Sequence, residues 1–305
     1  MIIKNKKLHL FLLFLALWFI TANAYGFNKD DFLKLMQTNA CQHCDLTRLD
    51  LTSKDLTAAN MWKANLTDVD FAWTELYFSN IELGCLEKAN LYGANLTGAN
   101  LKGANLAGAN LYNANLTDAN LENANLKDAN IMAAQLFNAN LSRADLSGAN
   151  LSRAILSGAN LSRATLIKTN LNKAIIREAN LSGAKIHYSD LTGTNLSNSK
   201  LLRTDLYYAN ISGSIIHGAD MTRADLTYAN LSNSDLNGSN LEDAILRCTD
   251  FTGSNVTNVN FFKADITQAI FSNTTIFTGS ILANGKIYYP GANPNKEILA
   301  REKTK

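Results

Sequence analysis

Every fifth residue of this chain is apolar, starting at Leu46 and ending at Ile281, without a slip. Leu holds most of these positions, and Ile, Phe, Met and Val256 hold the rest. An α-helix repeats every 3.6 residues and a strand every 2, so neither keeps such a stripe on one face. A chain that turns a corner every five residues does keep it. Four corners close a coil of about 20 residues, and stacked coils make a solenoid. The expected fold is therefore all-β, with a narrow apolar axis and an outside that forms a surface rather than a cleft.

The runs Ala89-Asn90-Leu91-Tyr92-Gly93, Ala94-Asn95-Leu96-Thr97-Gly98 and Ala149-Asn150-Leu151-Ser152-Arg153 resemble the unit of the pentapeptide-repeat family, Ala-(Asp/Asn)-Leu-x-x. The resemblance implies a right-handed quadrilateral parallel β-helix. In it the central Leu and the small residue two before it point inward, and the other three positions point out. Residues 46–285 then supply about 12 coils, roughly 58 Å of rod at a strand spacing of about 4.8 Å. The family resemblance carries no particular function with it.

Residues 1–24 read as a secretory signal. Lys4, Lys6 and Lys7 make a basic start, residues 8–20 are apolar, and Ala22-Asn23-Ala24 is a cleavage site before Tyr25. The rival reading, an uncleaved anchor, needs about 20 apolar residues to span a bilayer. No Cys follows the cut, which argues against a lipoprotein. The expectation is an exported protein, periplasmic or secreted, with no stable membrane span after cleavage. The whole chain has a net charge of +2. Losing the three signal lysines leaves it near neutral, so no nucleic-acid partner is expected.

Residues 25–45 form an N-terminal cap. Asn28 is placed to N-cap a short helix with Asp30 and Asp31 in its first turn. Phe32, Leu33, Leu35 and Met36 are expected to lie over the open first coil, hiding a sheet edge that would otherwise invite aggregation. The first coils are rough: Leu49, Lys54 and Val69 stand where a small inward residue belongs, Phe71 replaces a central Leu, and Trp73 follows it. After Thr169 the small position drifts to Ser and Thr, whose hydroxyls need partners if buried. Near the end, Phe251 and Phe271 lie one coil apart and should stack, with Phe261 between them in sequence. Two closures of that end compete: a cap of Phe277, Ile281, Ile287, Tyr288 and Tyr289, or an end-to-end homodimer through the C-terminal coils. Residues 286–305 read as a turn off the rod and a charged tail.

Four cysteines invite a disulfide count. Cys85 and Cys248 lie about eight coils apart, roughly 39 Å, far beyond the ~7 Å that a disulfide allows. Cys41-Gln42-His43-Cys44 sits at the mouth of the first coil, and the run on through Asp45-Leu46 resembles a lead-in segment of exported relatives. Three readings of Cys41 and Cys44 stand open: a local structural disulfide, two reduced packed thiols, or a redox or metal site. The redox reading lacks the strand–helix context of thioredoxin-like motifs, and zinc wants four ligands.

Residues 20 apart stack outside the rod as well as inside it. Tyr188, Tyr208 and Tyr228 form one outward column, with Tyr207 and His187 beside it. Arg203 and Arg223 form another on the preceding side, shared with Arg143, Arg163 and Lys263. An aromatic column next to a basic one is the composition of a recognition patch; the plainer alternative is shielding and solvation of a β-surface. Ile155, Ile175 and Ile215, interrupted by Asn195, make a modest apolar stripe. The Asn60, Asn80, Asn100, Asn120, Asn140, Asn160, Asn180 column suits an amide ladder.

No phosphate loop, zinc-protease helix or nucleophile–histidine–acid set stands in a convincing context, and a solvated rod offers no cleft to shift a carboxylate. No catalytic residue, cofactor or metal is expected. The sequence reads as a non-enzymatic exported scaffold that presents a repetitive surface to a protein partner. The alternatives are a redox-active or redox-regulated adaptor using Cys41 and Cys44, or a secreted effector. A DNA mimic that protects a topoisomerase needs an acidic cytoplasmic rod, which this chain does not resemble.

Overall fold

The computed structural model describes residues 28–288. The signal at 1–24 and the tail beyond Tyr288, including Tyr289, lie outside the described residues.

One pentapeptide shows how the chain satisfies its own backbone. In the unit around Leu91, the Leu91 N–H donates to Asn110 O at 2.7 Å and the Gly93 N–H to Tyr112 O at 3.0 Å, both on the next coil. The Ala94 N–H closes a turn back to Leu91 O at 3.0 Å, and the Asn95 N–H reaches Thr74 O on the previous coil at 3.0 Å. The Tyr92 N–H goes to the Asn90 side chain, Oδ1, at 3.3 Å. No N–H is left over, which a buried, stacked backbone requires. Each residue type has its reason. Asn before the Leu bonds the backbone two residues on. The third turn residue has positive φ, 62° at Gly93 and 58° at Asn113, the conformation that glycine and asparagine reach at least cost.

Repetition of this unit gives a β-helix-like stack. Single parallel bridges join the residue before each central position to the one 20 further on, from Ala40 with Asn60 to Asp250 with Ile270. The central residues and the small ones two before them are buried in one continuous core. Buried hydroxyls donate to carbonyls of the coil before: Thr74 to Leu51 O at 2.8 Å, Thr204 to Leu181 O at 2.9 Å and Thr249 to Leu226 O at 2.8 Å. Ser79 Oγ is the one buried side-chain oxygen or nitrogen without a partner among the described residues. Lys54 departs from the inward pattern and is exposed.

The first coil is closed by helix α1, Lys29–Thr38. Asn28 Oδ1 accepts from the Asp30 and Asp31 N–H groups at 3.0 and 3.4 Å, and Asn39 ends the helix in the left-handed region. The helix replaces a missing coil. The Asp45 N–H, which has no preceding carbonyl to meet, donates to the Asp31 carboxylate at 2.8 Å, and the Asn28 N–H donates to Asp45 O at 3.3 Å. Leu35, 1% exposed, plugs the axis with Phe32 packed beside it. Leu33 and Met36 do not join them: both are exposed.

At the other end the unbroken register fails. The bridges change spacing after Ile270: Asn255 pairs with Ile276 and Asn260 with Ile281, each 21 residues apart. One extra residue enters around Ser272 to Thr275, where Ser272 N–H, Thr274 and Thr275 hydroxyls and Ser272 Oγ bond one another. Ile276 and Ile281 are therefore outward and exposed, and Phe277 and Leu282 take the axial positions. The chain then folds back: Ile281 bridges Ile287 antiparallel, the Gly279 N–H meets Tyr288 O and the Tyr288 N–H meets Ser280 O. Phe251 and Phe271 stack at 5.0 Å, and Phe277 bridges Phe271 and Tyr288 at 5.1 and 5.5 Å. Ile266 and Phe271 remain only partly buried.

Candidate functional site

The twenty-residue period brings the tyrosines together. Tyr188 and Tyr208 stack at 5.6 Å, and Tyr208 and Tyr228 at 4.7 Å. Tyr207 meets Tyr208 edge-on at 4.6 Å and Tyr228 at 6.0 Å. His187 lies edge-on to Tyr188 at 5.6 Å, and its Nδ1 meets Asp205 Oδ2 at 2.8 Å. The three column tyrosines stay exposed, so the stack is accessible as one surface. Shielding among the neighbouring rings, and then the tyrosinates and Asp225 nearby, push the Tyr207 hydroxyl above its ordinary pKa. The Cys248 thiol, by charge and by hydrogen bond, pushes Tyr228 up in the same way, with Tyr208 adding to it. Tyr207 and Tyr228 therefore keep their hydroxyls protonated, as donors, further into alkaline pH.

The arginines lie on the preceding side as the period requires, but they do not stack on the tyrosines. Arg223 Nε pairs instead with Asp243 at 3.3 Å, and the cation–ring contacts among the described residues are Lys63 on Trp62 and Lys263 on Phe262. Arg203 is exposed. Arg247, which follows Tyr207 by two coils, pairs with Asp265 at 2.6 Å.

Cys41 and Cys44 are joined by a disulfide. Both are buried beneath α1, where a redox partner has no direct approach. Asp31 is close to both sulfurs and completes the one cluster of three metal-ligating residue types among the described residues; with the sulfurs bonded to each other, neither is a thiolate ligand. Cys85 and Cys248 are free thiols. The isoleucine stripe is continuous through its bridges, Ile155 to Ile175 to Asn195 to Ile215. The asparagine ladder is built as the spacing suggests: Asn80 Nδ2 donates to Asn60 Oδ1 at 3.2 Å, and the contact repeats up to Asn180 on Asn160 at 3.5 Å.

A second exposed surface was missed by sequence reasoning. Trp73, Phe78 and Leu83 occupy three successive corners of one coil, each with positive φ, and all are exposed. Each leans over a glycine of the next coil: a Cβ on Gly93 would lie 2.5 Å from Trp73, one on Gly98 2.4 Å from Phe78, and one on Gly103 2.8 Å from Leu83. Bulky residues one coil before glycines are the signal that could have revealed it. Tyr92 extends this surface, edge-on to Trp73 at 5.0 Å and stacked on Tyr112 at 5.4 Å.

Pentapeptide repeats match the chain in eight copies, over residues 40–77, 85–128, 134–172, 159–198, 187–223, 204–243, 224–261 and 239–273. The chain belongs to the pentapeptide-repeat family. Among solved structures it is similar to HetL of the cyanobacterium Nostoc sp. strain PCC 7120, a pentapeptide repeat protein involved in heterocyst differentiation regulation. The identity is 25%, over 86% of this chain and 99% of that one, with a TM-score of 0.34. It is also similar to QnrB1, a plasmid-mediated fluoroquinolone resistance protein, at 18% identity over 62% and 91% of the two chains and a TM-score of 0.32. A pentapeptide repeat protein of the Arabidopsis thaliana thylakoid lumen is 30% identical over 36% of this chain and 66% of that one, with a TM-score of 0.26. Superpositions of this quality carry no functional argument, and membership rests on the repeats themselves. None of the curated proteins compared with the chain matches it. No helix among the described residues is long and apolar enough to cross a membrane.

Proposed function

We propose that this protein is an exported, non-enzymatic scaffold, a right-handed quadrilateral β-helix of about 12 coils at roughly 20 residues each. It engages a protein partner through the column of Tyr188, Tyr208 and Tyr228 with Tyr207, Arg203 and Arg223 beside it. The observation that carries this reading is the continuous stack of exposed tyrosines. Large aromatic side chains cost solvation when left in water, and tyrosine is enriched where proteins meet, because it offers contact area at little entropic cost. Exposed Arg203 adds a guanidinium at the edge of the patch. Export rests on the basic start, apolar stretch and Ala22-Asn23-Ala24 site of the N-terminal segment. The buried position of Cys41 and Cys44 favours a structural role for that pair over a redox one.

The test is crosslinking in the native compartment, with wild type beside a Tyr188→Ser, Tyr208→Ser, Tyr228→Ser variant of unchanged melting temperature. Expected is a discrete crosslinked protein that the triple variant loses and an Asp118→Asn control, away from the patch, retains. Capture that the triple variant retains in full refutes the patch. Intact mass of the exported protein should start at Tyr25; a chain that keeps Met1 refutes the export reading.

A further inference from the structure

The surface around Trp73 has two local costs that the chain offsets only in part, through neutral hydrogen bonds such as Asn90 Nδ2 to Asp70 at 2.9 Å and Asn95 Nδ2 to Glu75 at 2.8 Å. The first is apolar. After covering their glycines, Trp73 and Phe78 are still 53% and 65% exposed, on corner positions whose positive φ (59° and 52°) disfavours bulky side chains. The second is electrostatic. The bridges put Asp50 against Asp70 and Asp55 against Glu75, and like charges directly opposite on a ladder repel. Among the described residues none of these four carboxylates forms an ion pair; Lys54 acts on Asp50 only from beyond pairing distance. The two acidic pairs flank the Trp73 corner, and the second lies on the side that Trp73 and Phe78 bound. The same coil already shows what such a surface takes: Lys63 Nζ sits 4.4 Å from the centre of the Trp62 ring.

One kind of occupant relieves both costs. We propose that this surface binds an extended, arginine-rich segment of a partner polypeptide, whose guanidinium groups stack on Trp73 and Phe78 and pair with Asp55, Asp70 and Glu75. Guanidinium is weakly hydrated, stacks on aromatic faces and matches carboxylates two bonds at a time, which lysine does not do. The local order helps: along this stretch Asp70, Trp73, Glu75 and Phe78 follow one another at outward positions, so a partner in extended conformation meets alternating charged and stacking positions. The surface is separate from the tyrosine column, so either can fail without the other.

The test titrates an octa-arginine peptide into the full chain, by tryptophan fluorescence and calorimetry at about 0.15 M salt, where exposed charges are screened beyond about 8 Å. Octa-lysine and octa-glutamate serve as comparisons. Expected is saturable binding of octa-arginine, tighter than octa-lysine, with no binding of octa-glutamate. Affinity should fall at least about tenfold in Asp55→Asn, Glu75→Gln and in Trp73→Ser, and stay the same in Tyr208→Ser. The charge variant guards against a Trp73 change that disturbs folding. Equal affinity in wild type and in the charge variant overturns the proposal. So does sedimentation of the wild type alone as a self-associated species that Trp73→Ser dissolves, since the occupant is then a second copy of this chain.

Discussion

The two ends of the rod solve one problem in different ways. At the N-terminal end a foreign element closes the axis. Helix α1 brings a carboxylate to the Asp45 N–H and a fully buried leucine to the opening, and a disulfide sits beneath it. At the C-terminal end the chain uses itself. It slips register by one residue, turns the next two outward positions to isoleucine, and folds back as an antiparallel pair. The first closure is nearly complete. The second leaves Ile266 and Phe271 part-exposed beside a shallow recess lined by Phe261, Phe277, Leu282 and Ala283. A stacked coil needs both an apolar lid and partners for its backbone groups, and only the N-terminal lid supplies both from outside the repeat.

The difference can be broken first in the middle, where neither end helps. Leu116→Asp puts a carboxylate on the dry axis and should cost more than about 4 kcal/mol, or abolish folding, as read by chemical denaturation. Next is the N-terminal plug: Leu35→Ala should cost about 3 kcal/mol, while Phe271→Ala, at a site already part-exposed, should cost about 1–2 kcal/mol. Equal losses would erase the contrast between the two lids. Replacing Cys41 and Cys44 by Ala should cost about 2 kcal/mol in the chain-entropy view, and all of it should appear in the N-terminal coils. Asp31→Ala should cost about 1–2 kcal/mol by stranding the Asp45 N–H; Asp30→Ala, with no such contact, is its control.

Smaller effects come from charge. Hydrogen bonds from the Thr52 hydroxyl and backbone hold the Asp50 carboxyl below its usual range. Asp265 is pushed up by burial, but bonds from Thr267 and Arg247 outweigh this and leave it low as well. A carboxyl depressed in the folded state stabilises it above the unfolded pKa, about 3.9, and that contribution is lost as pH falls below it. Acid melts should therefore weaken both ends. Added salt should weaken the contribution of Asp265, which depends on the exposed Arg247 pair, and leave that of Asp50 nearly unchanged.

The sequence makes the axis legible because burial repeats with the chain: a stripe of leucines at every fifth position has one physical reading, and the tyrosine column follows from counting by 20. The register slip was illegible for a specific reason. Ile276 and Ile281 continue the stripe, but Phe277 and Leu282 offer an equally apolar alternative one residue on, and only the turn at Ser272 to Thr275 chooses between them. The cap helix was readable from Asn28 and its acidic first turn. Which of its apolar residues face the core was not, since Leu33 and Met36 look as suitable as Phe32 and Leu35 until the crossing of helix and coil is known. The Trp73 surface shows in the sequence only when each bulky corner residue is paired with the glycine 20 residues on, as Trp73 is with Gly93 and Phe78 with Gly98. Arginines one side away from tyrosines suggested ring stacking, and Asp243 claimed Arg223 instead.

Native-state hydrogen exchange, read by mass spectrometry in overlapping peptides, tests the contrast between the ends most directly, because local opening follows local stability. Expected is an order: amides of residues 266–288 exchange first, those of the first coil under α1 much later, and the coils around Leu116 last. Exchange of the first coil ahead of residues 266–288 would contradict the claim that the helix is the better lid.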